Sequence, residues 1–116
     1  MGRLTTHVLD TARGCPASGV SVALYRITSE RELIAETTTN DDGRLDSPIL
    51  EEASFIRGNY ELVFGAGSYF QSAGLDLPDP PFVDEVVLRF GIADPDAHYH
   101  VPLLVSPWSY STYRGS

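Results

Sequence analysis

The apolar residues of this chain fall into short runs separated by turn residues, and this pattern limits the fold more than any other feature. Ten glycines and eight prolines lie largely between the runs. Val20, Val22 and Leu24 alternate with side chains that point the other way, a period of two that is typical of a strand. Eight runs, with a turn signal about every ten residues, predict an all-β sandwich or small barrel. The runs are Leu4–Leu9, Val20–Ile27, Leu33–Thr39, Arg44–Leu50, Tyr60–Phe64, Phe82–Phe90, His98–Val105 and Trp108–Arg114.

One stretch departs from the strand pattern. Residues 67–74, Gly-Ser-Tyr-Phe-Gln-Ser-Ala-Gly, predict a short helix with Ser68 as its N-cap and Gly74 as its stop. The chain has no internal repeat and no linker, and a length of 116 residues is that of one domain. We therefore expect a single domain over residues 1–116.

The charge composition excludes several classes of function. The net charge is −8, and all eight basic residues are arginines, so the chain has no lysine. Schiff-base chemistry, PLP attachment and the P-loop all need a lysine and are excluded. An acidic chain also lacks the clustered positive charge by which proteins bind nucleic acids and anionic membranes. We expect neither of these partners.

The cellular setting follows from three simple features. The single cysteine, Cys15, cannot form a disulfide within one chain, and we expect it to be a small, partly buried side chain rather than a nucleophile. The first residues contain no apolar segment of the secretory type. No apolar run approaches the roughly 20 residues that span a bilayer. We expect a cytoplasmic protein.

Three histidines, His7, His98 and His100, are the residues best suited to proton transfer near neutral pH. On a strand, His98 and His100 project from the same face. This arrangement fits a half-exposed polar strand face, a three-histidine zinc site with one open position, or metal-free acid–base chemistry in which arginine supplies the positive charge. The residue pattern alone does not choose among these three.

Two arginines and the last run add candidates. Arg44 directly follows an Asp-Asp-Gly turn, and its planar guanidinium matches carboxylates and the edges of imide or urea-like rings. Arg114 lies in a run that remains strand-like almost to Ser116. Such a run would hold the terminal α-carboxylate beside ordered structure, where it could orient a histidine or an arginine.

Two segments of the chain resemble a known family. Residues 4–17, Leu-Thr-Thr-His-Val-Leu-Asp-Thr-Ala-Arg-Gly-Cys-Pro-Ala, are similar to the opening strand and turn of transthyretin-related proteins. Residues 98–116, which begin His-Tyr-His-Val-Pro-Leu-Leu and end Tyr-Arg-Gly-Ser, resemble the enzyme branch of that family, the 5-hydroxyisourate hydrolases. The terminal Tyr-Arg-Gly-Ser separates this branch from the transthyretin hormone carriers.

The resemblance implies a fold, an assembly and a reaction. The fold would be a transthyretin-like, eight-stranded β-sandwich of two four-stranded sheets with one short helix. Four copies would form a homotetramer whose active sites lie in the channel at the dimer–dimer interface. The reaction would be the hydrolysis of 5-hydroxyisourate to 2-oxo-4-hydroxy-4-carboxy-5-ureidoimidazoline in urate degradation, with no metal and no organic cofactor. A transthyretin-like carrier that binds a small ligand without reacting is the alternative from another class.

The resemblance also assigns site residues, position by position. The first-strand histidine of the family falls on His7, the arginine of its Asp-Gly-Arg on Arg44, and the second histidine of its His-Tyr-His on His100. As a catalytic set the resemblance implies His7, Arg44, His100 and Ser116. As a substrate-binding set it implies His7, Arg44, Tyr113 and Arg114. It assigns no role to His98 or Cys15.

Overall fold

The computed structural model describes all 116 residues and consists of strands with one α-helix and one short 3-10 turn, Glu52–Ser54. The helix, α1, spans Ala66–Ser72. In chain order the strands are β1 (Arg3–Thr5), β2 (Val8–Asp10), β3 (Cys15–Pro16), β4 (Ser21–Ile27), β5 (Arg31–Thr38), β6 (Leu50–Glu51), β7 (Gly58–Gly65), β8 (Glu85–Ile92), β9 (His98–His100), β10 (Leu103–Val105) and β11 (Tyr110–Thr112).

One layer is the regular antiparallel sheet β5-β4-β7-β8. Its strands are seven or eight residues long, and β4 buries Val22 and Leu24 on the face that the alternation predicts. Opposite Leu24 in β7 lies Leu62, which is also fully buried. Because every second side chain points to the same face, this sheet contributes one wall of the core.

The second layer is interrupted, and here the predicted pair of four-stranded sheets needs a correction. It comprises a three-stranded sheet, β6-β1-β9, and a four-stranded sheet, β11-β10-β2-β3. The same two segments of the chain pair in parallel in both sheets, β1 with β9 in the first and β2 with β10 in the second. Pro102 lies at the break between β9 and β10 and has no N–H for the ladder. Thr6 lies at the other break, where its hydroxyl donates to the carbonyl of Val101 (2.6 Å).

Two local predictions were also wrong. The run Arg44–Leu50 is largely irregular; only Arg44, in an isolated bridge, and the short β6 are paired. The helix begins after Gly65, with no side-chain cap, so Ser68 is not its N-cap. Gly74 does follow the helix with φ +87°, a left-handed conformation that favours glycine.

The core between the layers is one cluster of 22 buried apolar residues, among which Tyr60, Phe64 and Phe70 are the largest that are fully buried. The structure contains no helix long and apolar enough to cross a membrane. One buried charge, Asp10, anchors the turn after β2: its carboxylate accepts hydrogen bonds from the Arg13 side chain (2.9 Å) and the Tyr69 hydroxyl (2.8 Å). This network fixes the end of the strand that follows His7.

Candidate active site

A tight turn over residues 40–44 presents Arg44. The Asn40 side chain accepts hydrogen bonds from the backbone N–H of Asp42 (3.0 Å) and of Arg44 (3.1 Å), as expected of an Asn at the start of a turn. Gly43 has φ +76°, and a Cβ there would overlap the carbonyl oxygen of Val8. The Asp-Asp-Gly sequence therefore makes a turn that can lie directly against the segment between β1 and β2 that carries His7.

His7 and Arg44 face each other in an isolated antiparallel bridge. The Nε2 atom of His7 lies 2.8 Å from the carbonyl oxygen of Asp42. Because a carbonyl only accepts, Nε2 must carry the hydrogen and Nδ1 is the free nitrogen of neutral His7. The Arg44 Nε donates to the Asp42 carboxylate (2.8 Å), which leaves both terminal nitrogens of its guanidinium available to a ligand.

His98 and His100 lie on β9 and meet a single hydroxyl. Parallel pairing places Thr5 of β1 opposite His100. The Thr5 Oγ1 atom is 2.9 Å from Nδ1 of His100 and 2.9 Å from Nε2 of His98. The other nitrogen of His100, Nε2, makes no hydrogen bond within the chain and is free to act on a ligand.

Gly115 allows the end of the last run to lie against His100. The two residues exchange backbone hydrogen bonds, from Gly115 N to His100 O (2.7 Å) and from His100 N to Gly115 O (3.2 Å). A Cβ on Gly115 would stand 3.2 Å from both Cβ and Cδ2 of His100, closer than ordinary contact. The glycine of Tyr-Arg-Gly-Ser thus permits a close approach that fixes the imidazole and brings Ser116 beside it.

A cleft of about 370 Å³ joins these parts. Of the predicted catalytic residues it brings together Arg44, His100 and Ser116, while His7 is tied to Arg44 through the bridge. Eight of its ten lining residues are polar or charged, and such residues can hydrogen-bond a small ring rich in carbonyl and N–H groups. The lining residues are Thr5, Thr6, Arg44, Leu45, Asp46, Ser47, Pro48, His98, His100 and Ser116.

Burial and the charges around this cleft favour the neutral forms of His98 and His100. Burial, followed by the positive charge of Arg44 and by the charges that His98 and His7 carry when protonated, holds the pKa of His100 below its ordinary value of 6.5. Burial, with Arg3 and Arg114, likewise lowers the pKa of His98. At neutral pH His100 therefore has an unprotonated nitrogen with which to accept a proton.

Tyr113 and Arg114 lie elsewhere. Both line a second, mostly apolar cleft of about 380 Å³ against β8, and the Tyr113 side chain is 61% exposed. The Arg114 guanidinium stands over the Tyr99 ring (4.4 Å) and donates to the carbonyl of His98 (3.3 Å). Within one chain these two predicted substrate-binding residues are not part of the cleft that contains Arg44 and His100.

The three histidines do not form a metal site in the folded chain. No group of three or more His, Cys, Asp or Glu side chains is placed so that it could hold a metal ion. His7 uses Nε2 on a carbonyl, and the other two imidazoles share the Thr5 hydroxyl. The three-histidine arrangement considered from the sequence thus has no counterpart within this chain.

Of the cleft residues that the predicted site did not include, Thr5 and His98 are the two that bear on His100. Thr5 meets His100 only because strands 95 positions apart pair in one register, which no local pattern reveals. The signal for His98 was present in its spacing from His100, but that spacing assigned it no partner.

Comparisons with known proteins give the same family as the resemblance found in the sequence. The model of the HIUase/Transthyretin family matches residues 4–115. The chain is 62% identical to 5-hydroxyisourate hydrolase of Pseudomonas aeruginosa over 117 residues, covering 100% of this chain and 93% of the relative. It is 64% identical to 5-hydroxyisourate hydrolase 2 of Rhizobium meliloti over 116 residues, covering 99% and 97%.

Two solved structures superpose on this chain over nearly its whole length. The structure of Klebsiella pneumoniae 5-hydroxyisourate hydrolase superposes with a TM-score of 0.83 at 35% identity, covering all of both chains. The crystal structure of (S)-allantoin synthase superposes with a TM-score of 0.94 at 52% identity; it covers 99% of this chain, which spans only 44% of that longer protein. The transthyretin-like fold and the motifs at both ends of the chain have the same explanation: this chain belongs to the HIUase/Transthyretin family.

Proposed function

We propose that this chain is a cyclic-amide hydrolase that opens 5-hydroxyisourate to 2-oxo-4-hydroxy-4-carboxy-5-ureidoimidazoline. The observation that carries the proposal is the polar cleft in which Arg44, a neutral His100 and Ser116 meet. The names of the chain's relatives supply the substrate, and the cleft supplies groups suited to the reaction. Ring opening of an amide needs an activated water, a proton for the leaving nitrogen and positive charge near the carbonyl oxygen.

In this proposal His100 is the general base. Water attacks the ring carbonyl carbon as its proton passes to Nε2 of His100, and the carbonyl π electrons move onto oxygen. The free nitrogens of Arg44 hold the ring and stabilise that oxyanion. The C–N bond then breaks, and the leaving nitrogen takes the proton back from His100.

The other candidate residues assist this step. His7, with Nδ1 as its only free nitrogen, positions the water or the leaving nitrogen. The Ser116 hydroxyl or its carboxylate orients His100 or the substrate. Tyr113 and Arg114 are assigned to substrate binding through assembly, because within one chain they line a different cleft.

We further propose a homotetramer with its sites shared at the interface between dimers. One observation supports it. The outer face of the second layer carries the half-buried leucines Leu9 and Leu104, which pair across β2 and β10 and would be covered by another copy of the chain. Light scattering should give four times the 12.7 kDa chain mass. We place the enzyme, which uses no metal or organic cofactor in this proposal, in the cytoplasm.

The function is tested by adding the protein to freshly generated 5-hydroxyisourate and following its ultraviolet absorbance. We expect decay much faster than in buffer, unchanged by EDTA. Decay at the buffer rate together with ligand binding would favour the carrier alternative and contradict the proposal. Loss of the acceleration in EDTA would instead favour a metal hydrolase, whose ligands would have to come from more than one chain.

A further inference from the structure

The Thr5 hydroxyl lies between the two histidines of β9 and makes one hydrogen bond to each, both of 2.9 Å. A hydroxyl has one hydrogen, so it can donate to only one of the two nitrogens. The other imidazole must therefore donate to Oγ1. As a consequence, the tautomers of His98 and His100 cannot be chosen independently.

The direction of this pair of bonds follows from what His100 has to do. A base that accepts a proton at Nε2 must carry its existing hydrogen on Nδ1. That hydrogen then points at Thr5 Oγ1, and the Thr5 hydrogen points at Nε2 of His98. The opposite direction would put the hydrogen of neutral His100 on Nε2, the nitrogen that has to receive the proton, and would block the reaction.

We propose that Thr5 is a positioning residue that holds His100 in its basic tautomer and connects it to His98 as a proton relay. The direction of the two bonds and the relay rest on the proposed function, in which His100 is the base. That Thr5 couples the two imidazoles concerns the resting protein and stands on the hydrogen-bond geometry alone. This assigns a role to His98, the histidine for which the family resemblance gave none.

The relay conserves every atom. As water gives its proton to Nε2 of His100, the hydrogen on Nδ1 moves to Thr5 Oγ1, and the Thr5 hydrogen moves to Nε2 of His98. His100 is then neutral with its hydrogen on Nε2, Thr5 is again a hydroxyl, and the positive charge resides on His98. The reverse movement returns the proton through His100 to the leaving nitrogen.

The surrounding charges oppose a proton that stays on either imidazole. His98 pairs with Arg3 across β1 and β9 and has Arg114 bonded to its carbonyl, while His100 faces Arg44 and His7. Asp46 is the only acidic residue that lines the cleft, and the Asn40 side chain donates to its carboxylate. Neither imidazole has a carboxylate partner that would trap the proton.

The first test is spectroscopic and needs no substrate. The chain has only three histidines, so ¹⁵N-detected imidazole spectra contain three ring systems. Above pH 7.5 we expect His100 to carry its hydrogen on Nδ1 and His98 to lack one on Nε2. In Thr5→Val the His100 signal should move to the Nε2–H form or to a mixture, and Thr5→Ser should restore it. Thr38→Val, on the exposed strand β5, is the matched control and should change nothing.

The second test is kinetic. With 5-hydroxyisourate, Thr5→Val should lower kcat/KM about 10- to 100-fold, the range expected for a misoriented catalytic group, and Thr5→Ser should recover most of it. His98→Gln can still accept from Thr5 through its amide oxygen but cannot take a proton. It should keep the His100 tautomer and lower kcat about tenfold.

The outcomes separate the two proposals. A wild type that does not accelerate 5-hydroxyisourate decay, yet has the stated tautomers, would overturn the proposed function and support the Thr5 coupling. Tautomers that are the same in wild type and in a folded Thr5→Val would overturn the coupling. A His98→Gln enzyme with wild-type kcat would overturn the relay.

Discussion

Replacing Gly43 with alanine should damage both the stability of the chain and its activity, because Gly43 forms the turn that presents Arg44 to His7. Its φ of +76° is one that alanine adopts at a cost, and the added Cβ would overlap the Val8 carbonyl oxygen. The same glycine accepts a hydrogen bond from Val8 N (2.8 Å). A displaced turn would lose that bond and move Arg44.

The size of the effect can be worked out from these contacts. A left-handed alanine costs about 1–2 kcal/mol, and loss of the Val8 hydrogen bond costs about 1 kcal/mol. Reduced freedom of the unfolded chain offsets about 0.4–1 kcal/mol of this. With the steric overlap added, we expect Gly43→Ala to lower the free energy of unfolding by about 3 kcal/mol. A shift of Arg44 by about 1 Å should lower kcat/KM about 100-fold.

Gly74→Ala is the matched control. Gly74 has a similar φ, +87°, but a Cβ there would meet no atom within 4 Å. Gly74→Ala should lower the free energy of unfolding by only about 1 kcal/mol, which is the cost of a left-handed alanine less the gain from a less flexible unfolded chain. It should leave kcat/KM unchanged. Urea unfolding of both variants, with the 5-hydroxyisourate assay on each, provides the comparison. Equal losses of stability, or full activity in a folded Gly43→Ala, would refute the reasoning.

Three further outcomes are expected. Gly115→Ala should lower kcat/KM about tenfold with little change in unfolding, since it pushes on the His100 ring from 3.2 Å; an unchanged rate would remove the packing argument. The acid limb of the pH profile of kcat/KM should have an apparent pKa below 6.5, because burial and then Arg44 lower the pKa of His100. Arg44→Gln should move this apparent pKa upward. An apparent pKa above 6.5 in the wild type would contradict this. Burial opposes the charge on Asp10, yet hydrogen bonds from Arg13 and Tyr69 hold its pKa below 3.8. Asp10→Asn should therefore lower the free energy of unfolding by about 2 kcal/mol at pH 7, and this loss should fade as the pH drops below 3.8, because the wild-type carboxylate then becomes protonated. A loss that does not change with pH would argue against an ionised Asp10.

The regular parts of the fold were predictable from the sequence because local chemistry determines them. Alternation predicts β4 and its neighbours, since a strand with one buried face must alternate. The Asp-Asp-Gly turn predicts a sharp reversal before Arg44, since only glycine tolerates the required φ without strain. The resemblance added the catalytic set, and three of its four members line one cleft.

The features that the sequence could not predict depend on the register between strands that are far apart in the chain. The interrupted second layer results from parallel pairing of segments about 95 residues apart, and the break at Pro102 is visible only once the partner is known. The same pairing brings Thr5 to His98 and His100. The distance of Tyr113 from the cleft is likewise a property of the folded chain, since Tyr113 is only three residues from Ser116 in sequence.

The measurement that tests the central claim most directly is kcat/KM of His100→Asn with 5-hydroxyisourate. The asparagine amide can keep a hydrogen bond to Thr5 but cannot act as a base. We expect a loss of about 10²–10⁴-fold, the range for one acid–base group, with unchanged mass by light scattering and unchanged urea midpoint. A folded His100→Asn protein that hydrolyses 5-hydroxyisourate as fast as the wild type would contradict the account.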